Sequence, residues 1–224
     1  ITTGSTAGNP RDGISGRPGI APLRFDTHYR MPEEQFEQLR EISEGLGLER
    51  YKEWMADLGF PVADPDGPFR LLNLDGSRHP GVVVGDGFGI EREPAEEDVA
   101  ALTKQIERAN RQADWVIASL HSHEGRGARS TDETVAPFIE AVAHEFVDAG
   151  ADVFLGHGSH TLRGIEVYDG APIFYSLGNL IAQNELVQRL PAEIYNRYGL
   201  PDDAMPADVF DARNADDEGN PAGF

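Results

Sequence analysis

Apolar residues recur three or four positions apart at Phe36, Leu39, Ile42 and Leu46, which predicts an amphipathic helix over Pro32–Leu48 with Pro32 suited to the first turn. The stretch upstream, to Pro22, is rich in Gly, Ser, Thr and Pro and has no such period, so residues 1–31 read as an irregular lead-in. Downstream, clusters of Pro, Gly and Asp surround two short apolar pieces, Phe69–Leu74 and Val82–Val84. Residues 32–92 are therefore expected to be one helix plus a loop-rich excursion with short strands.

The pattern sharpens from Glu93. Pro94 is followed by Glu96, Glu97 and Asp98, anions suited to a helix N-terminus, and Val99, Leu102 and Ile106 form a stripe, so a helix is expected to about Gln112. Trp115–Leu120 is a short run of buried-strand type that leads directly into His121 and His123. Ser130 and Glu133 have the spacing of a capping box opening a helix through Val135, Phe138, Ile139, Val142 and Phe146 that stops at Gly150. A second buried strand, Asp152–Leu155, runs into His157 and His160, and Gly164–Tyr168 with Pro172–Tyr175 form a hairpin around Asp169 and Gly170. Residues 93–200 are thus the core of an α/β fold whose strands end in histidine clusters, and residues 201–224 read as an acidic tail or a truncated continuation.

Composition narrows the chemistry. At 224 residues the chain is long enough to bury a core, and the absence of cysteine removes disulfides, thiolate metal sites and cysteine nucleophiles. Any metal must be held by nitrogen and oxygen. A net charge of −20, with Lys52 and Lys104 as the only lysines, argues against nucleic acid as a partner. No apolar run approaches the ~20 residues of a membrane span, and no basic, apolar and small-residue leader pattern opens the sequence. Localisation stays open between cytoplasm and cell surface. Lysine scarcity with acidic excess has two readings, a surface adapted to high salt or a GC-rich genome that favours arginine codons.

Four of the seven histidines lie in two pairs, His121 with His123 and His157 with His160, each pair at the end of an expected strand. Neighbouring strand ends can aim imidazoles at one point, as a nitrogen-ligated metal requires; the plainer reading is that they satisfy loop carbonyls. For His28, His79 and His144, which stand alone, the plainer reading is preferred.

Asp114–His121, Ala149–His160 with its Gly-His-x-x-His, Gly164–Tyr168 and Ile173–Asn179 resemble, in this order, the CapA-type capsule (poly-γ-glutamate) synthesis proteins, a branch of the calcineurin-like metallophosphoesterases. The resemblance is strong over residues 95–184, with a weaker echo at Gly16–Gly19 and Leu23–Arg24. It implies the second half of an αββα sandwich and a centre of two divalent metal ions, Mn, Fe, Zn or Ca. His121, His157 and His160 match the family's ligand positions. His123 and Glu124 stand where the family often has Trp-Gly and then Glu, which makes His123 a candidate acid on the substrate side or a support for the ligands. Glu124 is a candidate for orienting a ligand imidazole. Arg126 and Arg129 are candidate clamps for an anionic substrate, and Asn179 a candidate substrate contact, with carboxylate pairing and loop hydrogen bonding as their plainer roles.

The family's Asp-bearing first strand, its bridging Asp and its Asn-His pair have no counterpart upstream of Gly16. The expectation is that this sequence is a fragment or that a partner chain completes the site. The implied activity is metal-dependent hydrolysis, of phosphoester type by default, on a phosphoester, peptide or anionic polymer. A peptide hydrolase or epimerase and a non-catalytic capsule-assembly component are the alternatives.

Overall fold

Alternating burial fixes the face of each strand in the larger of two sheets. Along β4 (Ile117–Ser122) Ala118 and Leu120 are buried while Ile117 and Ser119 are exposed. Phe154 of β5 (Val153–Gly158) and Ile173 of β7 (Ala171–Phe174) join them on the inner face. With β6 (Ile165–Tyr168) these strands run in the order β4-β5-β7-β6. β4, β5 and β7 are mutually parallel, and β6 returns antiparallel to β7 through Asp169 and Gly170, both at positive φ, as a tight hairpin turn requires.

Two helices cover the inner face: α3 (Glu96–Asn110) through Val99, Leu102 and Ile106, and α4 (Pro137–Asp148) through Phe138, Ile139, Val142 and Phe146. Each large side chain fully withdrawn from water here contributes about 1.5–3 kcal/mol. The opposite face is bare at three apolar positions, with Ile117, Ile165 and Val167 at 58%, 68% and 71% exposure.

The smaller sheet, in the order β2-β1-β3, comprises β1 (Phe25–Met31), β2 (Gly81–Val84) and β3 (Gly89–Pro94). It joins the core through Phe25, stacked on Phe138 at 5.1 Å, and through Arg24, whose guanidinium reaches Asp98 of α3 at 2.6 Å. Helices α1 (Glu33–Gly45) and α2 (Leu48–Asp57) lie between β1 and β2 in sequence, and α5 (Ala192–Arg197) and α6 (Pro206–Arg213) follow the larger sheet. The chain divides into two units, Ile1–Gly178 and Asn179–Phe224. The computed structural model describes residues 1–4, 20–60, 62, 67–71, 80–127, 133–181 and 187–213. No helix among the described residues is long and apolar enough to cross a membrane.

The architecture is α/β, as expected, and several boundaries differ from the sequence reading. Residues 25–31, assigned to an irregular lead-in, form β1, because Phe25, Thr27, Tyr29 and Met31 alternate with polar residues. The excursion contains a second helix, α2, set off from α1 by Gly47 in the left-handed region. Helix α4 begins at Pro137, later than the capping pattern suggested, since a proline holds its predecessor Ala136 in extended backbone. Ser130 itself lies outside the described residues. Phe69 makes one bridge to Val82, Arg70 and Leu71 of its expected strand are not in strand conformation, and Leu72–Leu74 lie outside the described residues, as does His79. Part of the expected acidic tail is helix α6.

Candidate functional site

Parallel pairing of β4 with β5 sets His121 directly beside His157. Each histidine is the next-to-last residue of its strand, two positions before the loop begins. Gly158, at positive φ, permits the close approach, since a Cβ there would lie 2.8 Å from the Ser122 carbonyl oxygen and 3.2 Å from the His121 ring.

The rings form a chain. His121 Nδ1 lies 3.1 Å from His157 Nδ1, and His121 Nε2 lies 3.1 Å from His123 Nε2. Ser119 Oγ is 3.1 Å from His157 Nε2 at one end, and at the other the His160 ring stands 5.6 Å from that of His123, centroid to centroid. In each ring-to-ring contact one nitrogen donates and the other accepts, which singly protonated, neutral imidazoles satisfy. The electrostatics agree. His123 and His157 both titrate below the ordinary histidine range, first because burial disfavours the cation and next because His121 stands beside each of them.

The donor chemistry fits a nitrogen-bound divalent cation. For metal–nitrogen bonds of about 2.0–2.1 Å, adjacent ligand nitrogens sit roughly 2.9–3.4 Å apart, and the ring contacts fall in that interval. The two contacts use opposite nitrogens of His121, however, and among the described residues no three His, Asp or Glu side chains gather in a geometry that could hold a metal ion.

Glu124 Oε2 accepts the hydroxyl of Thr3 at 2.8 Å and the backbone N–H of His123 at 3.1 Å, and its charge acts on the His123 imidazole against the burial that lowers it. Thr3 arrives because Ile1–Thr3 runs along β4, its N–H on the His121 carbonyl at 3.1 Å. Arg126 is exposed, with its backbone N–H on Thr134 Oγ1. Arg129 lies outside the described residues, and Asn179 is exposed at the start of the second unit. Arg163, 6% exposed, donates to the Glu124 carbonyl and adds to the depression of His123. Ser119 and Thr3 carried no signal in sequence. His144 is apart from the cluster, bonded to Glu166 at 3.0 Å and stacked on Tyr168.

Comparison with known proteins adds a family. The model of the family described as bacterial capsule synthesis protein PGA_cap matches residues 64–184, just over half of the chain. An uncharacterized protein of Sinorhizobium fredii is 31% identical over 199 residues, covering 88% of this chain and 39% of that protein. A probable polyglutamine synthesis accessory protein of Mycobacterium tuberculosis is 37% identical over 100 residues, 44% of this chain and 25% of its own length. The PGA biosynthesis protein CapA of Bacillus subtilis is 36% identical over 104 residues, 44% of this chain and 26% of that protein. The chain therefore spans at most about two fifths of the length of these relatives.

Proposed function

Since the chain belongs to the bacterial capsule synthesis protein family PGA_cap, we propose that it works in the making of a capsular or poly-glutamate polymer. In this reading it supplies the nitrogen ligands of a divalent-cation centre for a hydrolase. The observation that carries the reading is the pairing of His121 with His157 at the carboxyl ends of two parallel strands, where α/β sheets bind ligands. His121, His157 and His160 are the proposed ligands, and His123 stands next to them as a candidate proton donor to a leaving group. Burial and the neighbouring His121 hold His157 below the ordinary histidine range, which favours the neutral form in which an imidazole accepts a cation. Divalent cations bound there would acidify a water and polarise the bond to be cleaved.

The substrate class proposed is an anionic phosphoester, peptide or polymer. Arg126 and Arg163 bring positive charge to a chain of net −20 and favour such a substrate locally. Among the described residues the carboxylate next to these rings, Glu124, is engaged by Thr3 and by the His123 backbone. The chain alone is therefore expected to bind cation weakly and to hydrolyse no phosphoester. The remaining length of its relatives, in the same polypeptide or in a partner, is proposed to complete the site.

Zn²⁺ uptake by the 224-residue chain, followed calorimetrically, tests this reading. H121A and H157A should each abolish uptake while H144A leaves it unchanged. Uptake that survives the double variant H121A/H157A rejects the ligand assignment. The use of opposite nitrogens of His121 in its two ring contacts favours one second reading, a non-catalytic assembly component. A longer protein that carries the missing length, binds cation and still cleaves no phosphoester or peptide would favour it.

A further inference from the structure

With 39 acidic residues against 19 basic ones, an arginine in this chain has carboxylates in abundance, and Arg24 and Arg30 take them on Asp98 and Glu91. Arg92 and Arg163 reach main-chain carbonyls. Arg92, on β3 of the smaller sheet, donates from Nη1 to the carbonyl of Gly125 at 2.8 Å and from Nη2 to that of Gly127 at 3.2 Å. Arg163, just before β6, donates from Nη1 to the carbonyl of Glu124 at 2.7 Å. Three of the four carbonyls from Glu124 to Gly127 are thus held by two guanidinium groups that come from separate parts of the fold.

This segment begins where β4 ends and carries His123 at its root. Gly125 and Gly127 offer no side chain to pack, and glycine gives up more conformational freedom on ordering than any other residue, so something outside the segment must hold it. Charge-assisted bonds from a planar, multidonor group suit that task, and Arg92 spans two carbonyls at once.

We propose that Arg92 and Arg163 are positioning residues that clamp the loop after β4 by its carbonyls and so hold the His123 ring against His121. Arg92 also ties the smaller sheet to the histidine cluster, so movement of β3 is felt at His123. The clamp follows from the hydrogen bonds alone, while its effect on cation uptake rests on the proposed function.

Hydrogen exchange and Co²⁺ titration of the 224-residue chain test the proposal together. R92A and R163A should each raise exchange of the amides from Glu124 to Gly127 about tenfold, as local opening does, and leave those of β5 unchanged. Each should weaken Co²⁺ uptake roughly tenfold, in the range found when groups that orient metal ligands are removed. R92K, which keeps the charge and one donor, should recover part of both losses, and it serves in place of R92A if the latter does not fold. Unchanged exchange in both alanine variants overturns the proposal, as does faster exchange with undiminished uptake. If the unaltered chain takes up no Co²⁺, the cation reading fails by itself. The clamp is then judged by the nuclear Overhauser contact between the His121 and His123 rings: its loss in R92A and R163A supports the proposal, and its persistence overturns it.

Discussion

The two sheets are built on different principles. In β4-β5-β7-β6 the inner face is apolar and sealed, with Leu120, Phe154 and Ile173 at 0% exposure beneath α3 and α4. In β2-β1-β3 every residue of β1 and β3 retains some exposure, and charged contacts join its parts: Arg30 to Glu91 across the sheet and Arg24 to Asp98 below it. The first sheet provides a rigid base for His121 and His157, since packed side chains with few rotamers hold a strand end in place. The second is joined to that base by the stack of Phe25 on Phe138 and by guanidinium groups, and the grip of those groups on the site is directional and sensitive to solvent. Packing sets where the imidazoles start, and polar contacts set where the loop beyond them goes.

Truncation should separate the sheets most clearly. Phe154→Ala opens a cavity in the sealed face and is expected to cost about 3–5 kcal/mol in denaturant unfolding. A cost below about 1 kcal/mol would mean that the larger sheet is not the packed base described here. Asp98→Asn should cost less, about 1 kcal/mol at neutral pH, because Arg24 is half exposed and water screens the pair. Its pH dependence has a definite sign. Hydrogen bonds from Arg24, opposed in part by burial, hold the Asp98 carboxyl below its ordinary value, so the stability it contributes is complete above about pH 4. That contribution disappears as pH falls further, through the lowered folded value. Unfolding midpoints of the two proteins should therefore differ at pH 7 and converge well below pH 4. A difference that persists in acid would assign the effect to packing. Ile117→Thr, on the bare face of the larger sheet, should change stability by no more than about 0.5 kcal/mol. A large loss there would show that something covers the face.

Legibility in sequence followed the same division. β4 and β5 announced themselves because the runs around Val116–Leu120 and Val153–Leu155 are apolar and end at histidines. The pairing of His121 with His157 was legible to the extent that adjacent parallel strands bring their ends together. β1 was hidden because Asp26, His28 and Arg30 break up its apolar residues and only its pairing with β2 and β3 settles the conformation. α2 was hidden because Tyr51, Trp54 and Leu58 are all exposed, so its apolar residues mark no core. The hydrogen bond of Thr3 to Glu124 spans 121 positions, and the carbonyls reached by Arg92 belong to glycines. A main-chain acceptor is present at every residue and leaves no pattern in sequence, so the residues that serve it appear only in three dimensions.

Ile117, Ile165 and Val167 stand on their bare face in a chain of net charge −20, and the combination makes salt act on the colloidal state of the protein as well as on its folding. In dilute buffer like charge keeps two such faces apart. The screening length falls from about 10 Å at 0.1 M to about 3 Å at 1 M, shorter than the reach needed to hold molecules at a distance, while apolar attraction at contact is left intact. KCl that relieves repulsion within one molecule therefore also lowers the barrier between two. A rise of the unfolding midpoint in molar KCl has an intramolecular part, which dilution leaves unchanged, and an association part, which falls as the protein is diluted.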